Sequence, residues 1–255
     1  MTSPNILVTN DDGVDAEGLR ALEEAMQPLG NVVVVAPDSE QSGVGHGISL
    51  HNPLRVRRHG DDRYSVSGTP ADCVYFALNE LLDETPDLCV SGINHGANLA
   101  DDLIYSGTVA GAREATLCDV PAVAVSLATY RPEQFSVAAD FSARIAGDVL
   151  DRGLPRDVLL NVNVPPDADG DTPTRVAKLG RRNYQRFVTR KEDPQKRPYF
   201  WLGSSELTFD DIPGSDCNAI TQSSITVTPV HMDRTHYAFM RELREWDFHD
   251  EDADE

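Results

Sequence analysis

Five short, mainly apolar runs most constrain how this chain can fold. They are Ile6-Leu7-Val8, Val32 to Ala36, Leu88-Cys89-Val90, Val120 to Ser126 and Val158 to Val164. The unbroken run Val32 to Ala36 suits a strand covered on both faces, and the others read as buried strands. Segments with helical periodicity lie between several of them. Leu19, Leu22, Met26 and Leu29 recur at helical spacing, as do Val74, Ala77, Leu78 and Leu81. Thr69-Pro70-Ala71-Asp72 predicts a helix start, with Thr as N-cap, Pro in the first turn and an acid at its third position. Ser106-Gly107-Thr108 opens a small-residue helix to about Leu117, and Phe135 to Leu150 reads as another. The β-α-β-α order predicts an α/β fold with a mainly parallel sheet.

Two segments depart from that rhythm. Residues 54–67 read as an inserted hairpin, and residues 183–213 are rich in aromatics, charges and turn formers. Tyr184, Phe187, Tyr199, Phe200 and Trp201 fall in the second. We read it as an extended C-terminal arm or hairpin whose aromatics form a subunit contact or pack on their own chain. Ile225 to Thr228 is a last strand. This divides the 255 residues into a core over 1–180 and a unit over 181–255 holding the arm, the final strand and an acidic tail, with a role in oligomerisation.

The charge balance excludes some partners. There are 42 acidic residues against 22 basic ones, a net charge of -20, and only three lysines, Lys178, Lys191 and Lys196. Such a surface repels polyanions, so a nucleic acid polymer is not an expected partner. Acid spread along the chain, with so little lysine, points to a salt-adapted host. At molar salt the Debye length is ~3 Å and self-repulsion is screened. No apolar run approaches the ~20 residues of a spanning helix, so no membrane partner is expected. The chain passes almost at once into Ile6-Leu7-Val8, with no basic stretch before it, and a cytoplasmic location is expected. Cys73, Cys89, Cys118 and Cys217 form no C-x-x-C pair and read as small buried hydrophobes.

In open parallel sheets, ligands bind beyond the carboxyl ends of the strands. Three polar clusters fall there. Asn10-Asp11-Asp12-Gly13 follows the first strand. Adjacent carboxylates repel unless a cation lies between them, and hard oxygen donors suit Mg²⁺, Mn²⁺ or Ca²⁺. The same four residues also read as a turn leading into a helix. Asp38 to Gly47 is a glycine-rich loop with hydroxyls and His46; it reads either as an anion-approaching backbone or as a surface loop. Ser91 to Asn98 offers Asn94 as a neutral oxygen donor, with His95 beside it in solvent or behind the ligands. Ser106-Gly107-Thr108 then opens a helix whose free N–H groups and dipole favour a phosphate, or whose serine simply caps it. The chain contains no G-x-x-x-x-G-K-[ST], H-E-x-x-H or G-x-S-x-G, and no G-x-G-x-x-G follows the first strand. Cation-assisted hydrolysis of a phosphate ester fits what remains.

ILVTNDDGVDAEGL at 6–19, VAPDSEQSGVGHGISL at 35–50, GTPADCV at 68–74, VSGINHGANLADDLIYSGTVAGAREA at 90–115 and ITVTPV at 225–230 resemble the SurE (survival protein E) family. The blocks span most of the chain in order. The resemblance implies a Rossmann-like three-layer core and a metal-dependent 5′-nucleotidase acting on nucleoside 5′- and 3′-monophosphates. It implies homodimers or homotetramers joined partly by exchanged C-terminal arms. It places one divalent ion, Mg²⁺ or Mn²⁺, on Asp11, Asp12, Ser42 and Asn94, and the substrate phosphate on Asn94, Ser106, Gly107 and Thr108. Residues 38–50 correspond to a flexible loop, with His46 near the metal. Gly45 and Gly47 stand where the family commonly has serines, which would loosen that loop.

On this reading Asp11, Asp12 and His46 are the catalytic residues, with His46 as a proton shuttle. Water attacks phosphorus directly, or Asp11 attacks first and forms an aspartyl-phosphate. A receiver-like signalling module also carries an acid pair after its first strand. It needs an Asp after the third strand and a Lys near the last ones. Here Val90 leads into Ser-Gly-Ile-Asn, and Lys178 lies beyond the parallel core. A protein that binds nucleotides without turning them over is the other non-enzymatic reading.

Overall fold

A computed structural model of the chain describes residues 3–129, 135–183, 188–202 and 208–246. Tyr184, Phe187 and the acidic tail 250–255 lie outside them. The elements run β1 (Asn5–Thr9), α1 (Glu17–Met26), β2 (Asn31–Pro37), β3 (Val56–Arg58), β4 (Arg63–Val66) and α2 (Pro70–Phe76). A π-helical turn, Ala77–Leu81, prolongs α2. Next come β5 (Leu88–His95), a 3₁₀ turn (Ala100–Ile104), α3 (Gly107–Leu117), β6 (Ala122–Leu127), α4 (Ser136–Arg152), β7 (Val158–Val164) and β8 (Thr174–Val176). The arm holds β9 (Arg182–Asn183), β10 (Val188–Glu192), β11 (Pro198–Leu202) and β12 (Thr208–Phe209). The chain closes with α5 (Asp216–Thr221), β13 (Ile225–His231) and α6 (Tyr237–Leu243).

Among the described residues, nine strands form one sheet in the order β3-β4-β2-β1-β5-β6-β7-β13-β8. From β4 to β7 every neighbouring pair is parallel. β3 is antiparallel to β4, and β13 is antiparallel to β7. The strand order reverses beside β1: β2 lies on one side and β5 on the other. This switch point opens a crevice at the carboxyl ends of β1 and β5.

The strands that read as continuous apolar runs are covered on both faces. Ile6 and Val8 join Leu19, Leu22 and Met26 of α1 and Phe141 and Val149 of α4 on one side. Leu7 turns to the other side, with Cys73 and Val74 of α2 and Val109, Ala112 and Ala115 of α3. This is the expected three-layer α/β arrangement. The α2 start follows its sequence pattern. Thr69 Oγ1 accepts from the Asp72 N–H at 3.1 Å, and Asp72 Oδ2 accepts from the Thr69 N–H at 2.8 Å. The cysteines are unpaired, and Cys73, Cys89 and Cys217 are buried. Among the described residues, no helix is long and apolar enough to cross a membrane.

β3 and β4 form the hairpin read over residues 54–67, and β4 also pairs in parallel with β2, which joins the hairpin to the main sheet. Two features differ from the sequence reading. β5 does not end at Ser91-Gly92. It continues to His95 after a register shift between Ser91 and Asn94. Gly92 makes this passage feasible: its φ is +144°, and a Cβ there would lie 2.4 Å from the Val125 carbonyl oxygen. Finally, β8, α5 and α6 are short elements without a long periodic signature.

The α1 face approaches β5 closely at Gly18, where a Cβ would lie 2.1 Å from the Ile93 carbonyl oxygen. Gly147 in α4 has nothing within 4 Å of its Cβ position. Gly18→Ala is expected to lower the unfolding free energy by about 1–3 kcal/mol. Gly147→Ala should raise it by about 0.5–1 kcal/mol. Urea denaturation midpoints of the two variants check this opposition.

Candidate active site

The turn after β1 is closed by Asn10. Its Oδ1 accepts from the Gly13 N–H at 3.2 Å, and its Nδ2 donates to the Gly13 carbonyl at 3.0 Å. Gly13 takes φ +100°, which favours glycine. The Val14 N–H donates to the Pro37 carbonyl at 2.8 Å, which joins this turn to the end of β2. Asp11 and Asp12 are thus held at the mouth of the switch-point crevice.

Asp11 is buried, and its Oδ1 accepts from Thr108 Oγ1 at 2.6 Å. The start of α3 reaches it because residue 107 is glycine: a Cβ there would lie 2.7 Å from Asp11 Cβ and 2.9 Å from Oδ2. Burial drives the Asp11 pKa from 3.8 up to about 6. The Thr108 hydrogen bond works against that rise, and the charge of Asp12 adds to it. Burial also raises the Asp12 carboxyl, opposed by His95. The His95 N–H donates to Asp12 Oδ2 at 3.4 Å, and its Nδ1 lies 3.9 Å from Oδ1. The His95 ring packs on Phe135 with centroids 5.1 Å apart.

Asn94 Nδ2 donates to the Gly96 carbonyl at 2.8 Å, which leaves Oδ1 as the uncommitted end of the amide. Ser106 Oγ caps α3 by accepting from the Val109 N–H at 3.1 Å, so its own hydroxyl proton remains to be donated. Ser42 is exposed and donates to Glu40 Oε1 at 2.8 Å. Its neighbour Gln41 donates its backbone N–H to the Asp11 carbonyl at 2.8 Å. His46 Nε2 lies 2.6 Å from Glu114 Oε2 on α3. Asp11, Gly107 and Thr108 are therefore in direct contact, and Gln41 ties the Ser42 loop to the Asp11 backbone. The side chain of His46 is taken up by Glu114.

Sequence reasoning set His95 apart from the ligands and did not weigh Glu114 or Asn98. Asn98 Nδ2 donates to Ser126 Oγ at 2.8 Å and lies 3.5 Å from Thr108 Oγ1. Asn98 stood within the third polar cluster, but its partners on β6, β7 and α3 are distant in sequence.

The donor set fits a hard divalent cation. Two adjacent carboxylates, both disfavoured as anions by burial, gain most from a positive charge between them. Among the described residues no group of three or more His, Cys, Asp and Glu could hold a metal. Neutral oxygens such as those of Asn94 and Ser42, with water, would have to complete the shell.

A parallel α/β sheet with a carboxylate doublet at its switch point, facing a helix N-terminus, defines a phosphate-ester-binding class of α/β protein. The family model for survival protein SurE matches residues 6–186. A protein named 5′-nucleotidase SurE from Pelobacter propionicus is 50% identical over 246 residues, covering 96% of this chain and 100% of its own. One of the same name from Geobacter sulfurreducens is also 50% identical, over 95% and 94% of the two chains. The crystal structure of the SurE protein from Aquifex aeolicus superposes with a TM-score of 0.85 at 39% identity, covering 94% of this chain and 98% of that one. The chain belongs to the SurE family.

The Asp11 shift has a sign that can be tested in the presence of a chelator. The folded chain holds the Asp11 proton more tightly than the unfolded one. Stability from this group is therefore full below about pH 4, falls as pH rises towards 6 and is flat above that. Asp11→Asn removes the penalty and should make the chelated protein about 3 kcal/mol more stable at pH 7. The gain should shrink towards zero near pH 3. Denaturant unfolding of both proteins across that range measures it.

Proposed function

We propose that this chain is a divalent-cation-dependent phosphomonoesterase that hydrolyses nucleoside 5′- and 3′-monophosphates to nucleoside and phosphate. The observation that carries the reading is the doublet of buried Asp11 and half-buried Asp12 in contact with the N-terminus of α3 through Thr108, 2.6 Å from Asp11 Oδ1. The family and the names of the curated relatives support it.

Asp11, Asp12, Ser42 and Asn94 would hold the cation, with Mg²⁺ or Mn²⁺ preferred by all-oxygen donors. When bound, such an ion supplies Lewis acidity and lowers the pKa of water. Thr108 donates to Asp11 Oδ1 and so leaves Oδ2 as the donor atom. The first-turn N–H groups of Gly107 and Thr108, with the Ser106 hydroxyl and the Asn94 amide, receive the phosphate oxygens and the charge they carry in the transition state. Water attacks phosphorus in line and the nucleoside leaves as an alcohol. We read His46, whose Nε2 lies 2.6 Å from Glu114 Oε2, as a loop residue in place of the proton shuttle expected from the sequence.

Phosphate release from nucleoside monophosphates, with Mg²⁺ or Mn²⁺ and with chelator, tests the function directly. Asp11→Asn and Asp12→Asn should each lose more than about tenfold in kcat/KM with far-UV circular dichroism unchanged. Ser106→Ala should lose less, because backbone donors remain. A single turnover in ¹⁸O-water should label phosphate and not Asp11. Binding without release would establish the non-catalytic reading.

Further readings concern assembly and surroundings. The arm is proposed to join copies of this chain into a homo-oligomer. Tyr199, Phe200 and Trp201 are exposed at 41%, 56% and 61% on the β10–β11 ribbon, which among the described residues pairs with no other sheet. The acidic surface is proposed to be adapted to high salt, in a reducing cytoplasm that keeps four cysteines unpaired. One series addresses assembly and salt. Sedimentation and thermal melting from about 0.1 to about 3 M KCl should show a wild-type oligomer whose melting point climbs with salt. Trp201→Glu should yield a smaller species. An unchanged mass, or a melting point flat in salt, counts against the corresponding reading.

A further inference from the structure

The loop between β2 and β3 carries Ser42 and is pinned more firmly than its glycines suggest. The Gln41 N–H donates to the Asp11 carbonyl at 2.8 Å, and the Gly45 N–H to the Tyr105 carbonyl at 2.9 Å. Thr69 Oγ1 donates to the Gly47 carbonyl at 2.7 Å. The Ser49 N–H and hydroxyl donate to the two Asp72 oxygens at 2.9 and 2.7 Å. Between these, the His46 ring meets Glu114 at 2.6 Å, with side-chain exposures of 21% and 11%.

This His46–Glu114 contact has an unusual placement. Glu114 follows Gly107 by seven residues, so it stands about 10 Å along the α3 axis from the phosphate-facing end. The imidazole is therefore moored along the helix flank. Ser42 lies in the short span between Gln41 and the adjoining Gly45 and His46 moorings, where Gly43 and Gly45 take φ +74° and +62°. Two left-handed glycines leave this span many conformations unless both ends are held. A buried carboxylate on a core-facing helix is also expensive without a partner. Its retention on α3 has a rationale if the partner matters.

We propose that Glu114 is a positioning residue: through His46 it fixes the Ser42 loop against α3, so that the loop's hydroxyl and the Asp11–Asp12 doublet form one cation site. The inference rests on the reaction proposed above. It assigns Glu114 and His46 to loop placement rather than proton transfer.

The test uses the full chain as wild type, Glu114→Ala, Glu114→Gln, His46→Ala and the Glu114→Ala/His46→Ala double variant. Mn²⁺ affinity is measured by calorimetry, kcat and KM at saturating Mn²⁺, and folding by thermal melting. Glu114→Ala and His46→Ala should each weaken Mn²⁺ binding about tenfold. The double variant should be no worse than the weaker single one, and Glu114→Gln, which keeps an acceptor for the ring, should restore most of the affinity. Unchanged Mn²⁺ affinity in both single variants, or losses that multiply in the double variant, overturns the proposal. So does a displaced pH profile of kcat in Glu114→Gln with Mn²⁺ affinity intact, which makes His46 a proton carrier. Should Glu114→Ala fail to fold, His46→Ala, altered only on the loop, decides by the same Mn²⁺ criterion. A wild type that binds no Mn²⁺ or releases no phosphate refutes the proposed function itself, which separates the two failures.

Discussion

The approach of α3 to the carboxyl end of β1 is the constraint on which the site depends. Gly107 and Gly111 allow it. A Cβ at Gly111 would lie 2.9 Å from Thr9 Cγ2 and 3.0 Å from Ser91 Oγ, as one at Gly107 would crowd Asp11. A helix with larger residues at these two positions would stand off the sheet and carry Thr108 away from Asp11. The small-residue character of this helix thus sets a distance, and that distance brings an anion-seeking helix terminus against a carboxylate that burial already disfavours as an anion.

Behind that contact lies a buried polar lattice. Asn161 and Asn163 on β7 both donate to the Asn98 carbonyl at 2.9 Å, and Asn163 Oδ1 accepts the Asn98 N–H at 2.8 Å. Asn98 reaches on to Ser126 and towards Thr108. Buried amides of this kind are tolerable only when their hydrogen bonds are made. Here, with only the Asn161 Oδ1 of these amides lacking a partner among the described residues, they make a floor that extends from the sheet to the residue holding Asp11, and such networks favour one arrangement over many.

The layer order and most strand positions were legible because continuous apolar runs have few structural meanings. Val32 to Ala36 was read closely for that reason, while Ser106-Gly107-Thr108 and Thr69-Pro70-Ala71-Asp72 carried their own helix-start signals. The continuation of β5 past Gly92 was not legible, since glycine ordinarily marks an end and only the neighbouring Val125 carbonyl explains why it marks a bend here. At the site, the doublet and the Ser106-Gly107-Thr108 turn were visible as local chemistry. The pairing of His46 with Glu114, 68 residues away, and of His95 with Asp12, 83 residues away, has no local trace. Such contacts arise from the crossing of loops at the switch point, which spacing along a chain does not encode.

The excursion that leaves the sheet after β8 begins and ends at one place. The Lys178 N–H donates to the Gly214 carbonyl at 3.1 Å, the Asp216 N–H to the Lys178 carbonyl at 2.9 Å, and the Gly180 N–H to Asp216 Oδ1 at 2.8 Å. With its feet stapled together, the span becomes a closed loop on a pedestal. The entropy of closing such a loop grows only logarithmically, about 0.6 kcal/mol for each doubling of length. Its length and lettering can therefore change at little cost to closure, while the crevice at the carboxyl ends of β1 and β5, on the other side of β7, keeps its shape.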